Sequence, residues 1–503
     1  MKKDDFTLNP HAIVRFLQKS AAEFTKEDLV SFIVENEIEM VNFRYVGGDG
    51  KLKTLNFVIN GLDHLNRILS TGERVDGSSL FSYVEAESSD LYVVPRYSTA
   101  FLNPFSEIPA VDILCSYFNK DGEPLASSPE NILRKAHESL ETATGYSLHA
   151  MGELEYYVIS EKEDLFPSKD QKGYHESQPY CKWEALRNDA MRAIASTGGK
   201  IKYSHSEVGN FSDEIYNYEQ NEIEFLPVPI HEAADQLVVA KWIIRMVAFS
   251  YGVTVSFAPK ITVGKAGSGM HIHMRLMKDG KSATLNAEGV LSDAAKRAIA
   301  GILDLSPSLT AFGNTIPTSY LRLVPHQEAP TNICWGDRNR SVLVRVPLGW
   351  TGNAGGMISQ ANPGWKGEMP DLSGIQTFEF RCPDGSADVY GLLAGLCVAV
   401  RHGLEMPDSL EMAKKLYVAV NIFKDEHKDT ATSLAQLPAS CCESADWLIK
   451  QKDVYLQNDV FTDGIIAGIT KVLCSYNDRD LSERLFGKHD EIRELVFSHL
   501  HCA

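Results

Sequence analysis

The stretch GELEYYV, Gly152 to Val158, alternates acidic and apolar side chains at the period of a β-strand. Glu153 and Glu155 therefore share one face, about 7 Å apart, while Leu154 points the other way into a core. Two carboxylates so placed repel each other unless a cation stands near. Alone, a solvated strand face explains such a pair more simply than a binding site does.

Four further stretches repeat the theme. In DEIYNYEQNEIEF (Asp213 to Phe225), Glu222 and Glu224 alternate with Ile223 and Phe225, and Glu214 lies one short loop earlier. In GSGMHIHMRL (Gly267 to Leu276), His271 and His273 share a strand face, and the glycines before them permit close backbone approach to a ligand. In TFEFRCPDG (Thr377 to Gly385), Glu379 and Arg381 lie opposite Phe378 and Phe380. A basic cluster, SYLRLVPHQEAP (Ser319 to Pro330) and GDRNRSVLVRVP (Gly336 to Pro347), supplies Arg322, Arg338, Arg340 and Arg345. Each has an ordinary explanation: an acidic edge, a chance HxH, a salt bridge, a set of internal ion pairs. Together they supply oxygen-rich ligands, which favour Mg²⁺ or Mn²⁺ over zinc, and arginine forks suited to phosphate or carboxylate. Metal plus arginine is the equipment of phosphoryl transfer. GKS at Gly280 to Ser282 lacks the upstream glycine of a P-loop and reads as a hairpin turn.

Composition narrows the class. With 49 basic and 67 acidic residues the formal charge of the 503-residue chain is −18, which disfavours nucleic acid and anionic membranes as partners. Nine scattered cysteines without a CxxC fit a reducing compartment. No secretory signal is read in Met1 to Pro10, and the apolar run Val389 to Val400 is too short to span a bilayer. A soluble cytoplasmic protein is expected.

Along the chain, residues 1–25 read as an irregular arm, and Thr25 to Asp28 (TKED) as a helix-starting capping box. Glu39 to Val46 and Lys51 to Ile59 read as a β-hairpin around Asp49-Gly50, followed by strands at Leu91 to Val94 and Ala110 to Tyr117. Beyond the turn Asn119 to Pro124, helices are expected at Pro129 to Thr144, Lys182 to Ser196, Ala233 to Tyr251 and Ser292 to Ala311. Strands are expected at Ser147 to Ile159 and Glu222 to Phe225, at Val253 to Thr262 and Ser268 to Met277 about the turn AGSG, and at Val342 to Val346 and Thr377 to Arg381, before a mainly helical tail from Ala387. The domains expected are an arm (1–25), a small β-rich domain (26–125) and a large α/β domain (126–503).

In this order, VDGSS (Val75 to Ser79), GELEYY, EQNEI, GSGMHIH, SYLRLVP–EAP–RNRS–VRVP and FEFRCPD resemble the glutamine synthetases, with the bacterial type I class nearest, over about Thr25 to Leu485. The resemblance implies an α+β fold: an N-terminal β-grasp domain, then a catalytic domain with a curved antiparallel sheet and surrounding helices. It implies stacked six-membered rings of identical subunits with active sites between neighbours. The reaction implied is ATP-dependent ligation of ammonia to the glutamate γ-carboxylate through γ-glutamyl phosphate, with two to three Mg²⁺ or Mn²⁺ ions per site. By the same resemblance Glu155, Glu214 and Glu222 are ligands of one ion, and Glu153, His271 and Glu379 of a second. His273, Arg340 and Arg345 meet the nucleotide phosphates. Arg322, Arg381 and Gly267 hold glutamate. Asp76, Ser79 and Tyr174 belong to the ammonium site, and Glu328 is the flap residue that takes a proton.

The chain also departs from the family pattern. Ala266 replaces an asparagine, Thr377 an arginine and Asp388 an asparagine; the stretch between Pro347 and Thr377 is longer; and Phe423 stands where some members carry a modifiable tyrosine. Ala266 and Thr377 leave open a γ-glutamyl ligase for another amine, a polyamine or an alkylamine. A member without catalysis, serving as a binding protein, is a third reading.

Overall fold

The computed structural model describes residues 6–81, 89–324, 329–349, 354–372, 374–422 and 424–502. Strands β1 (Met40–Val46) and β2 (Leu52–Val58) form the expected hairpin, with Val46 opposite Leu52 and Gly50 in the turn at φ 73°. With β3 (Glu73–Asp76), β4 (Asp90–Pro95), β5 (Phe101–Leu102) and β6 (Ala110–Phe118) they build one sheet, ordered β2-β1-β6-β4-β3, with β5 on β6 and β1 parallel to β6. The helix Leu62–Thr71 buries Leu65, Ile68 and Leu69, spaced for one helical face, in the core that also holds Phe43 and Ile113.

From residue 6 on, the N-terminal stretch departs from the irregular arm expected of it. Ala12–Leu17 is a helix and Ala21–Glu23 a 3₁₀ turn, and Ile13, Val14 and Phe24 lie buried in the same core. Burying these apolar groups removes them from water and ties the segment down. The Thr25 capping box forms as expected, with Asp28 N–H donating to Thr25 Oγ1 (3.3 Å) and Thr25 N–H to Asp28 Oδ2 (2.7 Å).

The second sheet is organised by β7 (Ser147–Glu161). Its main order is β14-β15-β16-β12-β7-β9-β8, where β8 is Ile201–Ser212, β9 Tyr216–Phe225, β12 Met270–Lys278, β14 Trp335–Asp337, β15 Val344–Val346 and β16 Phe378–Phe380. The pairings along this path are antiparallel except β14 with β15. Helices Pro129–Thr144, Ile230–Ser250, Asp293–Gly313 and the almost wholly buried Val389–Glu405 supply the core behind it. This is the α+β architecture the resemblance implies.

One expected pairing differs. The stretch from Val253 is a strand only over Thr254–Ser256 (β11), and it does not form a hairpin with β12. β11 pairs with Tyr157 to Ile159 and β12 with Ser147 to Leu154, so the two lie end to end along β7. The chain between them is free to run across the sheet end, which is how Gly267 reaches the cavity described below. Lys281–Ser282 pairs back on β12, the hairpin expected of GKS.

The two domains are joined by Arg96, whose guanidinium donates to both carboxylate oxygens of Asp235 (2.8 and 2.9 Å), and by Phe105 packed edge-on against Trp242. Among the described residues no single helix is long and apolar enough to cross a membrane.

Candidate active site

Strand register sets the site. His271 on β12 lies opposite Glu153 on β7, and Glu153 lies opposite Glu224 on β9. One step along, Glu155 faces Glu222, which faces His205 on β8. On the other flank His273 faces Glu379 on β16, which faces Arg345 on β15. Period-two alternation sends the intervening Leu154, Ile223, Ile272, Phe378 and Phe380 into the apolar core. The polar face opens on a cavity of about 1180 Å³.

Within it Glu153 is held at both oxygens: His271 Nδ1 is 2.8 Å from Oε2 and His273 Nε2 2.8 Å from Oε1. Burial pushes this carboxyl up, but His273 and His271 prevail and hold it well below the usual range. Glu379 takes Arg345 and Arg381, each at 3.0 Å. Gly269 N–H donates to Glu155 Oε2 at 2.7 Å. Glu222 is the contrary case. Burial, then Glu153, Glu155, Glu207 and Glu224 around it, raise its carboxyl well above the usual range. Glu224 Oε2 is buried without a hydrogen-bond donor.

This donor set fits divalent cations. Two groupings, Glu153–His271–Glu379 and His205–Glu207–Glu222, each bring their donor atoms within 4.8 Å of one another, and a third joins Glu153, Glu224 and His273. A hard cation between them would offset the burial and the repulsion that raise the Glu222 carboxyl. Cation affinity should therefore rise with pH, by roughly tenfold per unit while Glu222 still carries its proton, because each binding event must release that proton. Calorimetry of Mn²⁺ binding in buffers of different ionisation enthalpy checks this; uptake without proton release would refute it.

The geometry brings together most of the residues named from sequence. Glu153, Glu155, Glu222, His271, His273, Glu379, Arg322, Arg340, Arg345, Arg381, Gly267 and Tyr174 all line the cavity. Arg322 Nη1 donates to Cys382 O (2.8 Å), and the Arg381 guanidinium also donates to Arg340 O. A Cβ at Gly267 would stand 2.5 Å from Pro259 O and 3.0 Å from Arg322 Cγ, so this position needs glycine. Thr377 Oγ1 bonds His273 Nδ1 (3.1 Å), a contact to the imidazole in place of the usual arginine.

Three of the described residues stand apart. Glu214 is exposed at the turn between β8 and β9 and does not line the cavity. Glu207, which sequence reasoning passed over, lines it instead. Its signal was HSE, His205 to Glu207, with imidazole and carboxylate at strand period. Asp76 and Ser79 are exposed on the N-terminal domain, outside the cavity; Asp76 accepts from Ser78 Oγ (2.7 Å) and Ser79 Oγ (2.8 Å), and the Ser78 and Ser79 bonds lower its pKa. Glu328 and Phe423 lie outside the described residues.

Comparison with known proteins agrees with this geometry. Residues 126–473 match the family described as glutamine synthetase, catalytic domain, and residues 37–120 the glutamine synthetase β-grasp domain. A glutamine synthetase of Pyrococcus furiosus is 31% identical over 419 residues, covering 81% of this chain and 87% of its own. One of Clostridium saccharobutylicum is 28% identical over 439 residues, covering 85% and 90%. Among solved structures, a Plasmodium falciparum glutamine synthetase superposes with a TM-score of 0.73 at 20% identity (94% of this chain, 98% of that one), and ligand-free GmaS with 0.70 at 17% (90% and 96%). Two domains in the family's order, and a sheet register that gathers its motifs on one face, place the chain in the glutamine synthetase family.

Proposed function

We propose that the protein ligates ammonia to the γ-carboxylate of glutamate at the expense of ATP. The observation that carries this reading is the register placing Glu153, Glu155, Glu222, His271 and Glu379 on one sheet face beside arginines 322, 340, 345 and 381. Bound Mg²⁺ or Mn²⁺, two to three ions, supplies charge neutralisation between two anions that must meet. Glu153, His271 and Glu379 would hold one ion. Glu207 and Glu222, with His205 beside them and Glu155 opposite Glu222, would hold another, with Glu207 in the place assigned to Glu214 from sequence.

Arg322, Arg381 and the Gly267 backbone position glutamate. A γ-carboxylate oxygen bonds to the terminal phosphorus of ATP and ADP leaves. His273, Arg340 and Arg345 neutralise the phosphoryl oxygens. Ammonia then bonds to the acyl carbon and phosphate departs, giving glutamine. Ammonium must first lose a proton. Asp76 of a neighbouring subunit, lowered and therefore ionised, accepts it with Ser79 and Tyr174 nearby, and Glu328 takes the second proton. Because Asp76 stands outside the cavity of its own chain, the reading requires a ring assembly with sites between subunits.

Purified protein with ATP, Mg²⁺, glutamate and ammonium should release phosphate and form glutamine; an assembled protein that does neither defeats the proposal. Glu207→Gln should lower turnover about a hundredfold or more, whereas Glu214→Gln should stay within about twofold. The reverse ranking would return the ligand role to Glu214.

One observation favours a second reading, an organic amine as acceptor. Tyr174 stacks on His175 at 4.2 Å, and His175 lies 4.3 Å from His205, so aromatic faces stand next to Glu207 and Glu222. Such faces hold alkylammonium better than ammonium. An amine panel decides it: the higher kcat/KM names the acceptor.

A further inference from the structure

The cavity contains one arginine that none of these roles uses. His271, His273 and Arg275 succeed one another on the same face of β12, so Arg275 stands about 7 Å beyond His273, away from the carboxylates. It lines the cavity and faces His149 across the strands. Its guanidinium donates to Gly374 O (2.9 Å) and lies 3.3 Å from His149 Nδ1, while its Nε is buried without a partner. Among the described residues no carboxylate pairs with it. Burial, then Arg275 itself, hold His149 at about 4, so the ring beside the guanidinium is neutral. Arg345 and Arg381, by contrast, are both tied to Glu379. A half-buried guanidinium without a counter-ion, its Nε fully buried, carries a cost that a ligand able to accept from it would offset.

The surroundings indicate which part of a ligand it meets. Met151, Leu226, Leu348 and Ile375 line the cavity with Arg275 and give it an apolar wall. An apolar wall with a few convergent donors suits a flat heteroaromatic ring. Taking the ligase reading as given, a nucleotide with its terminal phosphate at Glu153 and His271 must extend along the cavity, and the direction past His273 leads here. We propose that Arg275 is a specificity-determining residue for the nucleoside end of the nucleotide, donating hydrogen bonds to acceptor atoms of the base. A guanidinium only donates, so it pairs with the ring-nitrogen acceptors of the base.

The test measures ADP and inorganic tripolyphosphate binding, with Mg²⁺, to the wild-type enzyme and to R275Q and R275K. ADP affinity should fall about tenfold or more in R275Q and less in R275K, while tripolyphosphate affinity stays within about twofold. KM for ATP should rise with KM for glutamate unchanged. Unchanged ADP affinity in R275Q overturns the assignment. So does an equal loss for tripolyphosphate, which would put the contact on the phosphate chain, and so does a parallel rise in KM for glutamate, which would make Arg275 a brace for the Gly374 segment. A wild-type enzyme that binds neither ADP nor tripolyphosphate overturns the ligase reading itself, a result separate from all three.

Discussion

Glu153→Ala is expected to lower turnover by at least about a thousandfold and also to lower the melting temperature of the metal-free protein. The carboxylate belongs to two of the three donor groupings and is the shared partner of His271 and His273. Removing it deletes a ligand and frees both imidazoles to rotate, and misplaced ligands weaken metal binding further. Glu153→Gln should be nearly as inactive, because an amide keeps the shape and loses the charge. Stability falls as well, because a carboxyl that His273 and His271 hold well below its usual range contributes stability while ionised. Steady-state phosphate release and thermal melts of chelated protein read the two effects separately. Turnover within tenfold of wild type would remove Glu153 from the site.

Arg96→Ala is expected to cost about 3 kcal/mol or more of stability. Both Asp235 oxygens accept from Arg96, and Tyr390 OH donates to the same carboxylate. Truncating the arginine leaves a largely buried anion with a single neutral donor. The pair joins β4's end to the helix Ile230–Ser250, so loss should show as earlier melting of the N-terminal domain in denaturant titrations. The double variant Arg96→Met with Asp235→Leu should recover most of the loss, since an apolar pair carries no desolvation penalty. A single variant within 0.5 kcal/mol (about the scatter of surface substitutions) would show that the domains are held by the Phe105–Trp242 contact instead.

Glu153 and Glu155 were legible because a strand alternates its faces whatever surrounds it. The hairpin at Asp49-Gly50 was legible because its turn residues state their own geometry. Glu207 was missed for a reason local to one hairpin. β8 and β9 pair with a register shift between Ser206/Asn221 and Asn210/Glu219, and the hairpin then extends to a tip at residues 213–215. Glu214 is nearer to Glu222 in the chain but sits at that far end, whereas Glu207 returns alongside. The N-terminal segment was read as an arm because its apolar run, AIVRFL, is too short to declare a helix by itself; only contact with Phe32 and its neighbours gives Ile13 and Val14 a core to enter.

The amino-acid order by itself determined which residues form strands, which face of each is polar, and which family the motifs resemble, because backbone periodicity and local turn chemistry act over a few neighbouring residues. The tertiary structure alone decided which acids meet. Register across β16, β12, β7, β9 and β8 couples positions far apart in the chain, and a shift of one residue on any strand would turn its carboxylates into the apolar core.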